Sequence, residues 1–459
     1  MTIFKLPGWA EAFAHKKWNH ALVVVLRIVL GCIFIFSGFS KAIDPWGGYY
    51  KLIEYFNAYG FAELTPVALF TSFALAVFEF VLGLCLAVGA FRRGSVLLLL
   101  ALICVMLPLT LDLALTGKVA QCGCFGDAVV ITNWTTFWKN VLLLPALVYL
   151  LFFNRRVHGI YGPAVNWVVG VLGFLYISAI AYNGYFNQPL IDYRHYKVGY
   201  NIGVASDAAI TDEDYVFIYE KDGVKQSFSI DELPDDDSGW EYVERRFKPG
   251  REPAPRVLNQ GVVILDHGNE ITEEVLPTEG RELMFLFPDL KNVNISYTFA
   301  LNEINDHATR QGINVFAVTS ADTADIAEWN DISMASYPMY NMDDSELKAI
   351  ARGNPAVVMV NRGKIVWKRT LASLNEDWVR NAQFPVERFN DDYRGQEVLQ
   401  WLNWLLLLCL AGLLVVNRTH VLILSFYRLF KKKTQKTPAG QETPQSPEVQ
   451  EESAASSQE

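Results

Sequence analysis

The chain has 459 residues, of which 51% are hydrophobic and 19% charged, and its formal net charge is −10. That length holds two or three domains, and the blend of apolar and charged content points to membrane and soluble parts in one chain. The acidic balance argues against nucleic acid as a partner, because phosphate binding requires a basic face.

Residues 1–20 read as an N-terminal interfacial segment. Phe4, Leu6, Trp9, Phe13 and Trp18 stand among Lys5, Lys16 and Lys17, the pattern of a helix lying on a membrane surface. No small-residue cleavage site follows the first apolar run, so that run reads as a retained span. It covers Ala21 to Phe39, and a hydrocarbon core of roughly 30 Å takes about 20 helical residues to cross. An aromatic segment from Trp46 to Phe61 reads as interfacial. Pro66 opens a second span that reaches Ala90, and Arg92-Arg93 separates it from a third, Ser95 to Leu115, with a kink expected at Pro108. The fourth span, Trp134 to Phe153, ends at Arg155-Arg156. Residues 21–158 thus form a four-span domain, and residues 159–184 carry a fifth, less apolar span.

Residues 185–397 are acidic, rich in turn signals and free of cysteine. Residues 185–281 form a β-rich segment with period-two strands at Tyr215 to Glu220 and Val224 to Phe228, and Asp222-Gly223 between them is a hairpin signal. Residues 282–397 alternate strand and helix. Leu283 to Phe287 is a buried strand, Val293 to Gln311 a helix, and Ile313 to Val318 a second strand. A helix is expected around Ala321 to Trp329, then a strand–turn–strand through Asn361-Arg362-Gly363-Lys364. Residues 398–417 are a sixth span, 418–433 a basic juxtamembrane helix, and 434–459 a tail of Pro, Gln, Ser and Glu expected to be disordered. Lys16-Lys17, Arg92-Arg93, Arg155-Arg156 and Lys431-Lys432-Lys433 fall in alternate loops. Short loops rich in Lys and Arg stay cytoplasmic, so both termini are expected inside, with the loop 117–133 and residues 185–397 outside.

That loop holds Gln121-Cys122-Gly123-Cys124-Phe125-Gly126, two of the six cysteines one glycine apart. The other four, Cys32, Cys85, Cys104 and Cys409, lie in apolar runs, where a thiol behaves as a small hydrophobe. Thiol–disulfide chemistry needs a thiolate, access and a second sulfur in range. Cysteines two apart meet only if the backbone turns, and Gly123 makes the turn cheap. So small a closed ring stabilises little and is labile, which suits exchange better than stapling. Lys118 would favour a thiolate nearby and Asp127 would oppose it. Three alternatives stay open: a structural crosslink, an inert reduced pair, or half of a metal site. No metal site is expected, since His15 and His158 belong to the opposite face.

Glu79 lies mid-span, where an ionisable group is a functional hypothesis by default. Lys41 ends the first span and Asp112 the third, and the three are expected to face inward below the cysteine loop. Proton handling or contact with a quinone head group is one reading of Glu79, and a carboxyl that ties helices together is the other.

Residues 282–397 resemble a thioredoxin-like fold, with Pro355 where that family places its cis-proline. Pro288-Asp289-Leu290-Lys291 stands where the family carries Cys-x-x-Cys, so the resemblance implies the fold and not the redox activity. Residues 21–153 resemble the MauE/DoxX-like membrane proteins. The resemblance rests on Ser37-Gly38-Phe39-Ser40-Lys41 with Asp44-Pro45, Glu79 with Gly83 and Gly89, and Cys122-Gly123-Cys124-Phe125-Gly126. In that family MauE is linked to maturation of the disulfide-rich methylamine dehydrogenase, and DoxX-type subunits to quinone-coupled oxidation of sulfur compounds. The architecture also looks like vitamin K epoxide reductase homologues, and the whole arrangement is similar to DoxX-family proteins of Bacteroidota.

The resulting expectation is an all-α membrane bundle, four core spans plus two, with an extramembrane α/β thioredoxin-like domain in a bacterial inner membrane. Cys122 and Cys124 would exchange thiol and disulfide, with Glu79 moving protons. Lys41 and Asp112 would form a quinone or proton site, a membrane quinone being the candidate carrier and no cofactor tightly bound. The partners would be the lipid bilayer and a periplasmic protein met through residues 282–397. The competing expectation is a non-catalytic scaffold in which the cysteine loop is a local staple.

Overall fold

Long apolar runs set the helices, and small residues set how closely they pack. The computed structural model describes residues 16–202, 215–221, 224–229, 234, 240–247, 262–277, 279–381 and 383–434. The expected interfacial residues 1–15, the turn at Asp222-Gly223 and the tail beyond residue 434 lie outside the described residues.

Six described helices are long and apolar enough to cross a membrane. They are α1 (Lys17–Ile43), α3 (Ala68–Val88), α4 (Gly94–Thr116), α5 (Asn133–Phe153), α6 (Asn166–Phe186) and α10 (Gly395–Thr434), and α2 (Pro45–Ala58) lies between α1 and α3. The first helix outruns the expected span at both ends, because hydropathy marks the hydrocarbon core and not the polar turns beyond it. Pro66 falls in a 3-10 turn, Ala62–Val67, that leads into α3. Gly89 and Gly117, at φ +75° and +64°, end α3 and α4 in the left-handed conformation that glycine adopts most cheaply. The last span and the basic stretch after it, expected as two helices, are one continuous helix, α10.

The α1–α3 seam determines where the site sits. A Cβ on Gly38 would come within 2.4 Å of the Phe80 backbone nitrogen, and one on Gly83 within 2.6 Å of that of Ile35. Only glycine permits backbones this close, which is how membrane helices gain van der Waals contact without a hydrophobic drive between them. The seam sets Ser37 and Lys41 of α1 against Glu79 of α3. Asp44 caps α2 by accepting from the Gly47 amide at 2.9 Å, with Pro45 at the first helical position. In α2 only Pro45 is buried, as befits a helix at an interface. Trp46 stacks on Tyr185 of α6 at 5.2 Å and donates to its carbonyl at 3.0 Å.

The extramembrane part has two sheets. One is antiparallel, ordered β2-β1-β3, from β1 (Tyr215–Lys221), β2 (Val224–Phe228) and β3 (Glu241–Phe247). Tyr215 to Glu220 and Val224 to Phe228 pair as expected. The other sheet contains β4 (Ile264–Asp266), β5 (Asn269–Glu270), β6 (Arg281–Phe287), β7 (Asn314–Thr319), β8 (Met339–Met342), β9 (Ala356–Asn361) and β10 (Lys364–Thr370). Its order is β10-β9-β6-β7-β8-β4-β5. β6, β7 and β8 run parallel, and β9 and β10 reverse. Helices α7 (Tyr297–Arg310), α8 (Thr323–Ser333) and α9 (Asp344–Ile350) connect them. β6 is buried on both faces between two apolar layers, one around Phe285, Phe287 and Trp367, the other around Met284, Leu286 and Val358. The Asn354–Pro355 bond is cis.

The expected boundary at residue 282 does not divide this sheet. β4 pairs with β8, Asn201 bridges to Lys364, and Tyr196, Ile202, Val262 and Ile264 complete the second apolar layer. Helix α7 begins four residues later than expected, because Asp289 and Asn294 bind the backbone ahead of it.

Candidate functional site

The loop after α4 is pinned by Asn133, whose side-chain amide donates to the carbonyl of Val119 at 2.9 Å. Gly123 at φ +70° and Gly126 at +55° close a tight turn in which the Gly126 amide donates to the Gly123 carbonyl at 3.0 Å. This is the turn the sequence requires. It brings the Cys122 and Cys124 sulfurs to 3.1 Å, with the residues 5% and 8% exposed. From contact, a disulfide of about 2.05 Å needs only a small further approach.

Each cysteine carbonyl is held from another element. The Tyr55 hydroxyl of α2 donates to that of Cys122 at 3.0 Å. Ser37 Oγ lies 2.6 Å from the Cys124 carbonyl and 2.7 Å from Glu79 Oε2, so its one proton serves either acceptor. Lys41 Nζ donates to Glu79 Oε2 at 2.5 Å and to Ser37 Oγ at 3.2 Å. Glu79 therefore reaches the loop backbone through one hydroxyl. The hydrogen bond between the two sulfurs lowers Cys124 against the opposing effect of burial, with Lys139 and Lys41 favouring the anion and Glu79 opposing it. The same contact, then burial, pushes Cys122 upward. Of the two, Cys124 is the thiol whose anion its surroundings favour. Lys139 Nζ stands 4.4 Å over the Phe125 ring, which in turn leans on Phe36.

A cavity of about 470 Å³ opens beneath α2. Leu52, Tyr55, Phe56, Leu75, Met106 and Leu109 line it, together with both cysteines, Lys41 and Glu79. This volume and this mixture of apolar walls with a few polar groups suit a small lipophilic ligand.

Lys41 and Glu79 meet as expected. Asp112 does not join them: it accepts from Tyr59 Oη at 2.6 Å, faces Lys118 at 3.6 Å and is 41% exposed. At the helix end the carboxylate reaches water, which is cheaper than the interior of the bundle. Lys118, expected beside the thiols, covers the Tyr59 ring instead. Asp127 is not left to oppose the thiolate, since Arg352 takes it at 2.9 Å. Sequence reasoning quoted Ser37 in a motif without giving it a role, and missed Tyr55, Lys139 and Arg352. A lysine in the opening turns of an apolar span was the available signal for Lys139. The other three are far in sequence from what they touch.

A second cleft, about 510 Å³, lies on the other side of α2. Trp46, Tyr49, Tyr185, Asp289, Tyr297, Asn354 and Pro355 are among its walls. Asp289 and Asn354 are tied by hydrogen bonds of 3.3 and 2.6 Å.

Six apolar helices joined to an extramembrane mixed sheet define a multi-pass membrane protein. Residues 19–153 match the family model described as methylamine utilisation protein MauE, and residues 213–251 match a domain of unknown function, DUF8463. Over residues 19–153, then, the chain is similar to the MauE family of membrane proteins. No curated protein and no solved structure matches it.

Proposed function

We propose that the protein is a thiol–disulfide exchange centre of the bacterial inner membrane that assists maturation of envelope proteins. The observation that carries this reading is the sulfur pair, 3.1 Å apart, in the wall of an apolar cavity that also holds Lys41 and Glu79. Starting from the Cys122 thiol and the Cys124 thiolate, forming the S–S bond releases two electrons and one proton. A membrane quinone, which the cavity walls fit, accepts those two electrons with two protons, one from the Cys122 thiol and the second drawn from water. Glu79, through Ser37, handles a proton, and Lys41 orients a head group.

Alternating basic pairs support an orientation with both termini cytoplasmic and residues 185–397 periplasmic. The order β10-β9-β6-β7 and the parallel β6–β7 pair joined by α7 support a thioredoxin-like reading of residues 282–397. That domain has no cysteine, so its role is to present a partner protein rather than to relay electrons. The same absence favours a second reading, a scaffold whose loop is stapled.

The test uses the reduced full chain in nanodiscs with a short-chain quinone. Quinol formation that disappears in Cys122→Ser and Cys124→Ser supports the exchange centre; no quinol from the native chain overturns the coupling to a quinone.

A further inference from the structure

Building on the reading of Cys122 and Cys124 as an exchange pair, we infer that the extramembrane domain supplies a positioning residue, Arg352, which holds the thiol loop and its α2 roof together. The cysteine-free domain is then a working half of the membrane site.

Arg352 follows α9 and stands two residues before Asn354. Its side chain is 6% exposed. Two carboxylates of the membrane part converge on it. Asp44 receives Nε at 3.0 and 2.9 Å and Nη2 at 2.7 Å, while Asp127 receives Nη2 at 2.9 Å. The backbone cannot slip, because the Gln188 amide accepts from the Arg352 N–H at 3.0 Å and donates to its carbonyl at 2.6 Å. Nη1 donates to the Lys348 carbonyl. The planar fork of an arginine suits such a two-carboxylate clamp, where a lysine offers a single point charge.

Both carboxylates lead to the sulfurs. Asp127 is three residues beyond Cys124 on the same loop. Asp44 caps α2, whose Tyr55 holds the Cys122 carbonyl, and whose Lys51 stem packs over Gly123 so closely that a Cβ there would lie 3.1 Å away. One guanidinium thus fixes the loop directly and from above. The face of α2 that bears Trp46 and Tyr49 lines the cleft toward Asn354 and Pro355, so whatever fills that cleft leans on the same helix.

The experiment follows alkylation of Cys124 by iodoacetamide against pH in the reduced full chain in nanodiscs. The groups facing Cys124 are Cys122, Lys139, Lys41 and Glu79; those facing Arg352 are Asp44, Asp127, Tyr50 and Lys368, with Arg194 and Lys51 acting on its carboxylates and Lys348 beside it. Arg352→Ala should raise the alkaline plateau rate roughly three- to tenfold and move the inflection upward, toward an ordinary thiol. Arg352→Lys should recover part of both. Asp127→Asn, whose side chain is half-exposed, cuts the loop end of the clamp while leaving Asp44 bound, and it decides the matter if Arg352→Ala does not insert. Wild-type plateau and inflection in Arg352→Ala and Asp127→Asn overturn the inference. If instead the native pair never cycles between dithiol and disulfide, the exchange reading falls, and the alkylation profiles still judge the clamp separately.

Discussion

Cys124 is pulled two ways, since burial disfavours the thiolate while the Cys122 thiol, Lys139 and Lys41 favour it. The balance lowers it below the ordinary thiol range, so the reactive anion is favoured at neutral pH and is lost as the pH falls. Alkylation of the native reduced chain should therefore reach half its maximum at a lower pH than the about 8.5 of a free thiol. Lys139→Gln should move the midpoint upward, and an unchanged midpoint would remove Lys139 from the site. At Glu79 the question is what one carboxylate does for a buried cation. Removing one partner of a buried ion pair leaves an unpaired charge, so Glu79→Gln should destabilise by roughly 3–5 kcal/mol. Thermal unfolding in nanodiscs measures this. Replacing both partners, Lys41→Met with Glu79→Leu, should restore stability without restoring thiol oxidation. Recovery of both would make the pair purely structural. Cys122, Gly123, Cys124, Lys41 and Glu79 were legible in the sequence because each breaks a local rule. Asp112 broke the same rule and was misplaced, because position along a helix does not reveal which way a terminal carboxylate turns.

Among the elements, the α1–α3 seam is what brings Ser37, Lys41 and Glu79 into one group. Gly38→Val puts branched carbon where 2.4 Å separates a Cβ from the Phe80 backbone. The helices must part, so the variant should lose both folded yield and thiol oxidation, whereas Gly412→Ala in α10, where no atom lies within 4 Å of the new Cβ, should lose neither. A Gly38→Val chain with native yield and oxidation would contradict the seam as the site's frame. Hydropathy made six spans plain, because twenty apolar residues have few other uses. It did not reveal β8 or α9, which are four and seven residues long, nor that β4 joins the larger sheet. Short elements draw their stability from partners far along the chain, and local patterns carry no record of those partners.

Across the whole molecule, a membrane bundle with a dithiol and a sheet domain without cysteine meet at α2. The cavity with the sulfurs lies on one side of that helix, and the cleft walled by Asp289, Asn354 and Pro355 lies on the other. Arg352 spans the two parts, and no motif announced it, since its carboxylates lie more than two hundred residues away. The central claim is that the Cys122–Cys124 pair is an exchange site rather than a staple. It is tested most directly by thiol-specific mass-tagging of the pair in intact cells after acid quench, repeated across defined glutathione potentials. The account predicts a pair that is partly reduced in cells and titrates reversibly. A pair that is fully oxidised and resists reduction until the protein unfolds would contradict it.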